Sequence, residues 1–324
     1  MLNCFPQTRS AVALTLSLCF CALTPSSSIA QNQLSIEAGT WLPILPDYRA
    51  ASIVQSGAFN PVQTNIFNDD QTAFGPAFGL NGLFSVGSRN AVVMDLDLAW
   101  VNDVGASTSV SDPGTTQSVW LASLNGTNFL NSLNGGNARF TLDSDLLHYS
   151  EFIGIRHYFS DRNFSLDVGF SHQAFEQDYL FDAVFNSGLN GQYQEQLNTD
   201  FFGGEIRGHF CREIHCQPVQ LDLGIGLFGR DTDYDGTSVF RTAGGAIFDQ
   251  GSLALSEQDF AVMLHAGIRG QREIRNIMLR PTLGIKYISS MPTINHPQTV
   301  IPVEPATLGS EEALVLNSMV EICF

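Results

Sequence analysis

Apolar residues recur at every second position through ten stretches of this chain, the period of a strand with one greasy face. Gln33–Leu42 sets Leu34, Ile36 and Ala38 on one side. Phe74–Val86 lines up Phe78, Leu80, Phe84 and Val86 against Ala77, Gly79, Asn81 and Ser85. Ala91–Val101 alternates Val92, Met94, Leu96, Leu98 and Trp100 with Asp95 and Asp97, as suits a wall between hydrocarbon and a polar lumen. Leu147–Phe159, Phe164–Phe175, Phe201–Phe210, Val219–Phe228, Phe260–Gly270, Ile277–Ile288 and Leu314–Phe324 continue the pattern. The last of these carries Val320, Ile322 and the terminal Phe324 on its apolar face. A terminal strand of that form is expected to be the insertion signal for a barrel-assembly machinery.

Short connections (Gly87–Asn90, Ser160–Asn163, Cys211–Pro218, Gln271–Asn276) alternate with long ones (Pro43–Ala73, Asn102–Leu146, Glu176–Asp200, Gly229–Asp259, Ser289–Ala313). That predicts an all-β, antiparallel transmembrane barrel of about ten strands, with long external loops and short periplasmic turns. Aromatics at both strand ends agree, with Trp41, Phe74, Trp100, Tyr149, Phe202, Phe260 and Tyr287 expected at the outer interface.

Residues 1–30 read as a cleaved secretory signal: Arg9, an apolar run from Ala11 to Leu23, then Ser28-Ile29-Ala30. Residues 31–324 form the barrel domain, placed in a bacterial outer membrane with its lipid as partner. Mean hydropathy is +0.05 with only 15% charged residues, rich for an exported soluble domain. The net charge of −17 argues against nucleic acid as a partner.

The inward faces mix signs. Glu37, Asp95, Asp97, Asp167, Glu205, Asp222 and Glu321 stand against Arg156, Arg207, Arg269, Arg280 and Lys286. If Phe159 lies opposite Phe164, Arg156 faces Asp167; if Phe210 lies opposite Val219, Arg207 faces Asp222. Such a lumen is either a salt-bridged plug or a narrow pore. In a pore these four would set the local field, and Asp95 and Asp97 would bias it towards cations.

Asn198–Phe210 (N-T-D-F-F-G-G-E-I-R-G-H-F), Val219–Gly229 (V-Q-L-D-L-G-I-G-L-F-G) and the run from Asp259 to Tyr287 carry a resemblance. They resemble a planctomycete outer-membrane β-barrel family related to the Legionella-type pore-forming major outer-membrane proteins. The resemblance covers roughly the second half of the chain. It implies an outer-membrane protein with pore formation as the expected activity, and brings no catalytic residues.

Three constellations remain. Asp231, Asp233, Asp235 and Gly236 match the opening of a calcium loop, but Thr242 stands where the closing Glu belongs, so weak Ca²⁺ binding competes with a solvated turn. Cys211 and Cys216 flank a periplasmic turn and are expected to close it as a disulfide, with metal binding beside His209 and His215 as the alternative. No other cofactor is expected. Catalysis would need carboxylates and a histidine converging at the outer rim; Asp69, Asp70, His148 and His172 are the candidates, and nothing ties them together, so no enzyme is expected. The function expected is a narrow porin-like channel for passive diffusion of small hydrophilic solutes. A non-conducting structural or adhesive anchor with working loops is the alternative, and a barrel hydrolase a third.

Overall fold

A computed structural model of the chain describes residues 32–55, 71–72, 74–110, 117–131, 137–159, 163–214, 217–274, 277–296 and 304–323. The signal segment, Asp69, Asp70, Cys216 and Phe324 lie outside the described residues. Ten long strands form the wall: β1 (Gln33–Leu45), β2 (Gly75–Ser85), β3 (Asn90–Val110), β4 (Ala138–Tyr158), β5 (Phe164–Phe185), β6 (Asn190–Ile214), β7 (Gln217–Arg241), β8 (Ile247–Gly270), β9 (Ile277–Asn295) and β10 (Thr307–Cys323). Each pairs antiparallel with its sequence neighbour, and β1 pairs with β10, so the sheet closes on itself. Within the lower barrel, closure removes the free edges that an open sheet would expose.

All ten expected strands are present, but most run far beyond their expected ends. The reason is a change of phase. On β5 Phe164, Leu166, Val168 and Phe170 point outward, and then the aromatic residues Phe175, Tyr179, Phe181 and Phe185 point inward, with only Leu180 and Val184 left as large apolar residues on the outer face. On β7 the outward Leu221, Leu223, Ile225 and Leu227 give way to the inward Phe228, Tyr234 and Phe240. The lower barrel is therefore apolar outside and charged inside, and the upper barrel is the reverse. Outward from Phe202 to Phe210 on β6, at about 3.3 Å per residue and a tilt near 40°, the lower apolar belt is roughly 20 Å tall, close to the band that lipid-facing barrels carry.

Glu176–Asp200 and Gly229–Asp259 are thus not long loops. They are continuations of β5–β6 and β7–β8, closed by short turns in which Gly188 and Gly245 adopt positive φ. Asp231, Asp233 and Asp235 lie on the exposed outer face of β7, in regular ladder with β6 and β8. Alternate residues of a strand stand some 6–7 Å apart, and no calcium-loop turn is present to gather their carboxylates.

Described parts of the connections between β1 and β2 and between β3 and β4 pack into the upper core. Short strands Ser52–Gln55, Gln117–Ala122 and Phe129–Asn131 make a small separate sheet. Trp120 and Leu121 of that sheet and Leu124 after it are fully buried, and Tyr193 Oη donates to the Ala122 carbonyl.

Candidate functional site in the barrel lumen

The short-turn half of the lumen holds a cavity of about 490 Å³ lined by the inward charged set, including Glu37, Asp95, Asp97, Arg156, Glu205, Arg207, Asp222, Arg269, Arg280, Lys286 and Glu321. Period-two geometry brings them here: each alternates with a lipid-side apolar residue on its strand. Nearest the turns, Arg156 and Asp167 face each other in register and form a two-pronged bridge, Nε–Oδ1 2.7 Å and Nη2–Oδ2 2.8 Å, as the expected hairpin register requires.

The second expected bridge does not form. β6 continues to Ile214 and β7 begins at Gln217, which shifts the register by two residues, so Phe210 faces Leu221 and Asp222 faces His209. His209 stands between two carboxylates, 2.9 Å from Asp167 and 2.6 Å from Asp222. Arg207 instead reaches Asp95 at 2.6 Å and Glu205 at 2.9 Å. Glu205 also meets His265 at 3.1 Å. Arg269 and Arg280 converge on Glu321 at 2.7 and 3.3 Å. Lys286 donates to Gln173 at 3.1 Å, and Asp97 accepts from Ser150 at 3.2 Å. The lower lumen is an ion-pair lattice, and Phe152, which the alternation alone did not single out, is part of it. Its ring lies 3.7 Å beneath the Arg207 guanidinium and flat against Gly154 and Gly169, where any Cβ would strike it.

Above this lattice an apolar layer crosses the lumen. Trp41, Phe175, Phe201, Phe228, Met263, Ile288, Met291 and Met319 are buried together. Trp41 is thus inside the barrel rather than in the outer aromatic belt, stacked on His148, which in turn stacks on Phe175. A second, larger apolar core fills the upper barrel, built from Tyr48, Leu121, Leu124, Leu130, Phe140, Phe181, Phe185, Tyr193, Tyr234 and Phe240.

An acidic group, Glu195, sits in that upper core with His296 against it. Glu195 of β6 accepts from Tyr234 Oη at 2.6 Å and from Tyr48 Oη, and meets His296 Nε2 at 3.0 and 3.1 Å. Burial pushes its carboxyl pKa up, but the His296 charge and the bonds from His296, Tyr234 and Tyr48 outweigh it, and the net shift is downward. Tyr48 is pushed well above the ordinary phenol range by burial and by Glu195 beside it. Glu195, an inward acidic residue between the inward Tyr193 and Leu197, was the available signal.

His148 is buried inside the wall, whereas His172 lies outside it against Asp200 at 2.9 Å, so these two do not converge. Cys211 sits at the lower mouth, 3.5 Å from Gln220 Oε1, and its expected partner Cys216 lies outside the described residues. Among the described residues no group of three or more His, Cys, Asp or Glu is placed to hold a metal ion.

No family model and no curated protein matches this chain. Nothing here supports the planctomycete or Legionella-type family. Solved structures similar to it are bacterial outer-membrane proteins. The outer-membrane protease OmpT from Escherichia coli is 7% identical with a TM-score of 0.42, covering 93% of this chain and 98% of that one. A Pseudomonas aeruginosa FadL homologue is 8% identical, TM-score 0.22, covering 90% and 89%. The outer-membrane channel DcaP of Acinetobacter baumannii is 9% identical, TM-score 0.15, covering 93% and 100%. These likenesses are weak and pass no activity to this chain.

Proposed function

We propose that this is an integral outer-membrane barrel whose lumen is sealed at rest, a rigid anchor that carries a structured extracellular head. Residues 1–30 would direct export and be removed, and Val320, Ile322 and Phe324 would be read by the assembly machinery. The apolar outer belt would then meet outer-membrane lipid. The observation that carries the sealed reading is the buried layer of Phe175, Phe201, Phe228 and Ile288 across the lumen, with the upper core behind it. Side chains packed as in a protein interior would leave no continuous water path.

The porin-like channel for small hydrophilic solutes is the second reading. The cavity of about 490 Å³ beneath that layer, lined by Arg156, Arg207, Asp95, Asp97 and their partners, favours it. Planar-bilayer recording on the refolded chain separates the two. A sealed barrel gives no conductance steps at moderate voltage; steady steps under the same conditions would replace it with the pore. No catalytic role is proposed.

A further inference from the structure

Among the described residues the wall is closed in the belt but not above it. β8 pairs with β7 along its whole length, from Ile247 to Gly270, yet with β9 only over Met263–Arg269. Beyond Ile288 a bulge turns β9 inward; it continues with β10, and Ile294 and His296 end buried in the upper core. The last ties across the seam are Val262 N–H to Ser289 Oγ at 2.9 Å and Ser290 Oγ to Asp259 at 3.3 Å. Above them, among the described residues, the second edge of β8 has no backbone partner.

That edge is long and undefended. Val262 directs its N–H to the open side, so in an antiparallel ladder Phe260, Gln258, Ser256, Ala254 and Ser252 do the same. All five are exposed. Residues 247–262 contain no Pro, Lys or Arg, the usual guards of a free edge. The setting is acidic on both faces: Asp231, Asp233 and Asp235 stand outside one strand away, and Glu257 and Asp259 face the gap, side chains 37% and 44% exposed. Arg230, fully buried, pairs with both at 3.1 and 3.6 Å and offsets one of their two charges, which leaves this inner face with a net negative charge. A second copy in the same membrane would present its own β8 in the same sense, which excludes antiparallel pairing between copies.

We infer that the free edge of β8 between Ile247 and Val262 is a docking site for an extended basic peptide, which adds a strand to the extracellular wall. Backbone hydrogen bonds would hold it, and its lysine or arginine side chains would meet the two acidic faces. This goes beyond the sealed-barrel reading and holds whether or not the barrel conducts.

The test is binding to refolded full chain in detergent, using a peptide of alternating lysine and valine. Its comparators are a glutamate–valine peptide and a lysine–valine peptide with every second amide N-methylated. The parent peptide should bind, and both comparators should bind at least about ten-fold more weakly. Ser256→Pro removes one N–H on the open side while leaving the β7 ladder intact, and should weaken the parent peptide similarly; Ser256→Ala should not. Equal binding of the N-methylated and parent peptides would reduce the effect to surface charge and overturn strand addition. Equal binding of the glutamate peptide would overturn the basic preference, and no binding of the parent would overturn the site. If Ser256→Pro does not refold, the N-methylated peptide alone decides.

Discussion

Phe201 and Phe202 are consecutive on β6 and point to opposite sides of the wall. Phe201 is 0% exposed in the apolar seal, and Phe202 is 57% exposed, stacked outside on His172 at 4.2 Å. Between them the apolar phase of the strand changes: above, grease faces in; below, it faces out. The pair marks where the strand leaves lipid for water.

Their substitutions should differ accordingly. Phe201→Ala removes a fully buried ring and should cost about 3–5 kcal/mol of folding stability. Phe202→Ala gives up chiefly a stacked contact, worth about 0.5–1.5 kcal/mol. Denaturant unfolding of both refolded variants measures the difference; equal losses would mean that the two rings share one environment.

The contact of Arg207 with Asp95 at 2.6 Å spans strands β6 and β3, separated in the wall by β4 and β5. It is a strut across the lumen. Arg207→Met leaves Asp95 without its arginine and Glu205 with His265 alone, and should cost about 3 kcal/mol, the low end for a broken buried pair because Arg207 and Asp95 keep some exposure. A double-mutant cycle with Asp95→Asn should return a coupling of at least about 1 kcal/mol. Additive losses would show that the two charges are independently solvated.

Why the belt was legible and the head was not follows from that same change of phase. Inside lipid the outward face must be uniformly apolar, so Leu221, Leu223, Ile225 and Leu227 announce a strand without help. Above it, Asp231, Asp233 and Asp235 alternate with Thr232 and Tyr234 and resemble a loop, although they continue the same strand. The Arg156–Asp167 bridge was readable because the apolar residues of β4 and β5 reach almost to the strand ends, Tyr158 and Phe164, and so fix the register of the pair. The Arg207–Asp222 bridge failed because β6 and β7 run past their apolar residues to Ile214 and Gln217, a polar extension that hydrophobic alternation does not register. Glu195 and His296 lie 101 residues apart, and only the inward bend of β9 joins them.

Two seals in series predict an all-or-none response to opening. Phe175→Ala, Phe201→Ala and Phe228→Ala combined remove the lower layer but leave Tyr48, Leu121 and Phe140 packed above. That variant should stay silent in bilayer recordings. Deleting residues 117–131 in addition, which withdraws Leu121, Leu124 and Leu130 from the upper core, should produce steps. Conductance from the triple variant alone would show that the upper core is permeable.

The Glu195 cluster predicts a pH window for the head. Its carboxyl pKa is depressed from 4.5 in the folded state. An acid of that kind stabilises the fold above its unfolded pKa, and the contribution is lost as pH falls through the folded value. Tyr48 is raised from 10.0, so its contribution is complete below that pH and fades as pH climbs towards the folded value. Between these limits Glu195 fastens Tyr48, after β1, to Tyr234 on β7 and His296 beyond β9. Acidification below about pH 4.5 should therefore free these segments before the belt unfolds, visible as protease cleavage of the head while the barrel still resists heat in detergent. Glu195→Gln keeps the shape and removes the charge. It should make the head labile at neutral pH and flatten the acid dependence; a variant that retains the wild-type pH profile would assign the transition to other carboxylates.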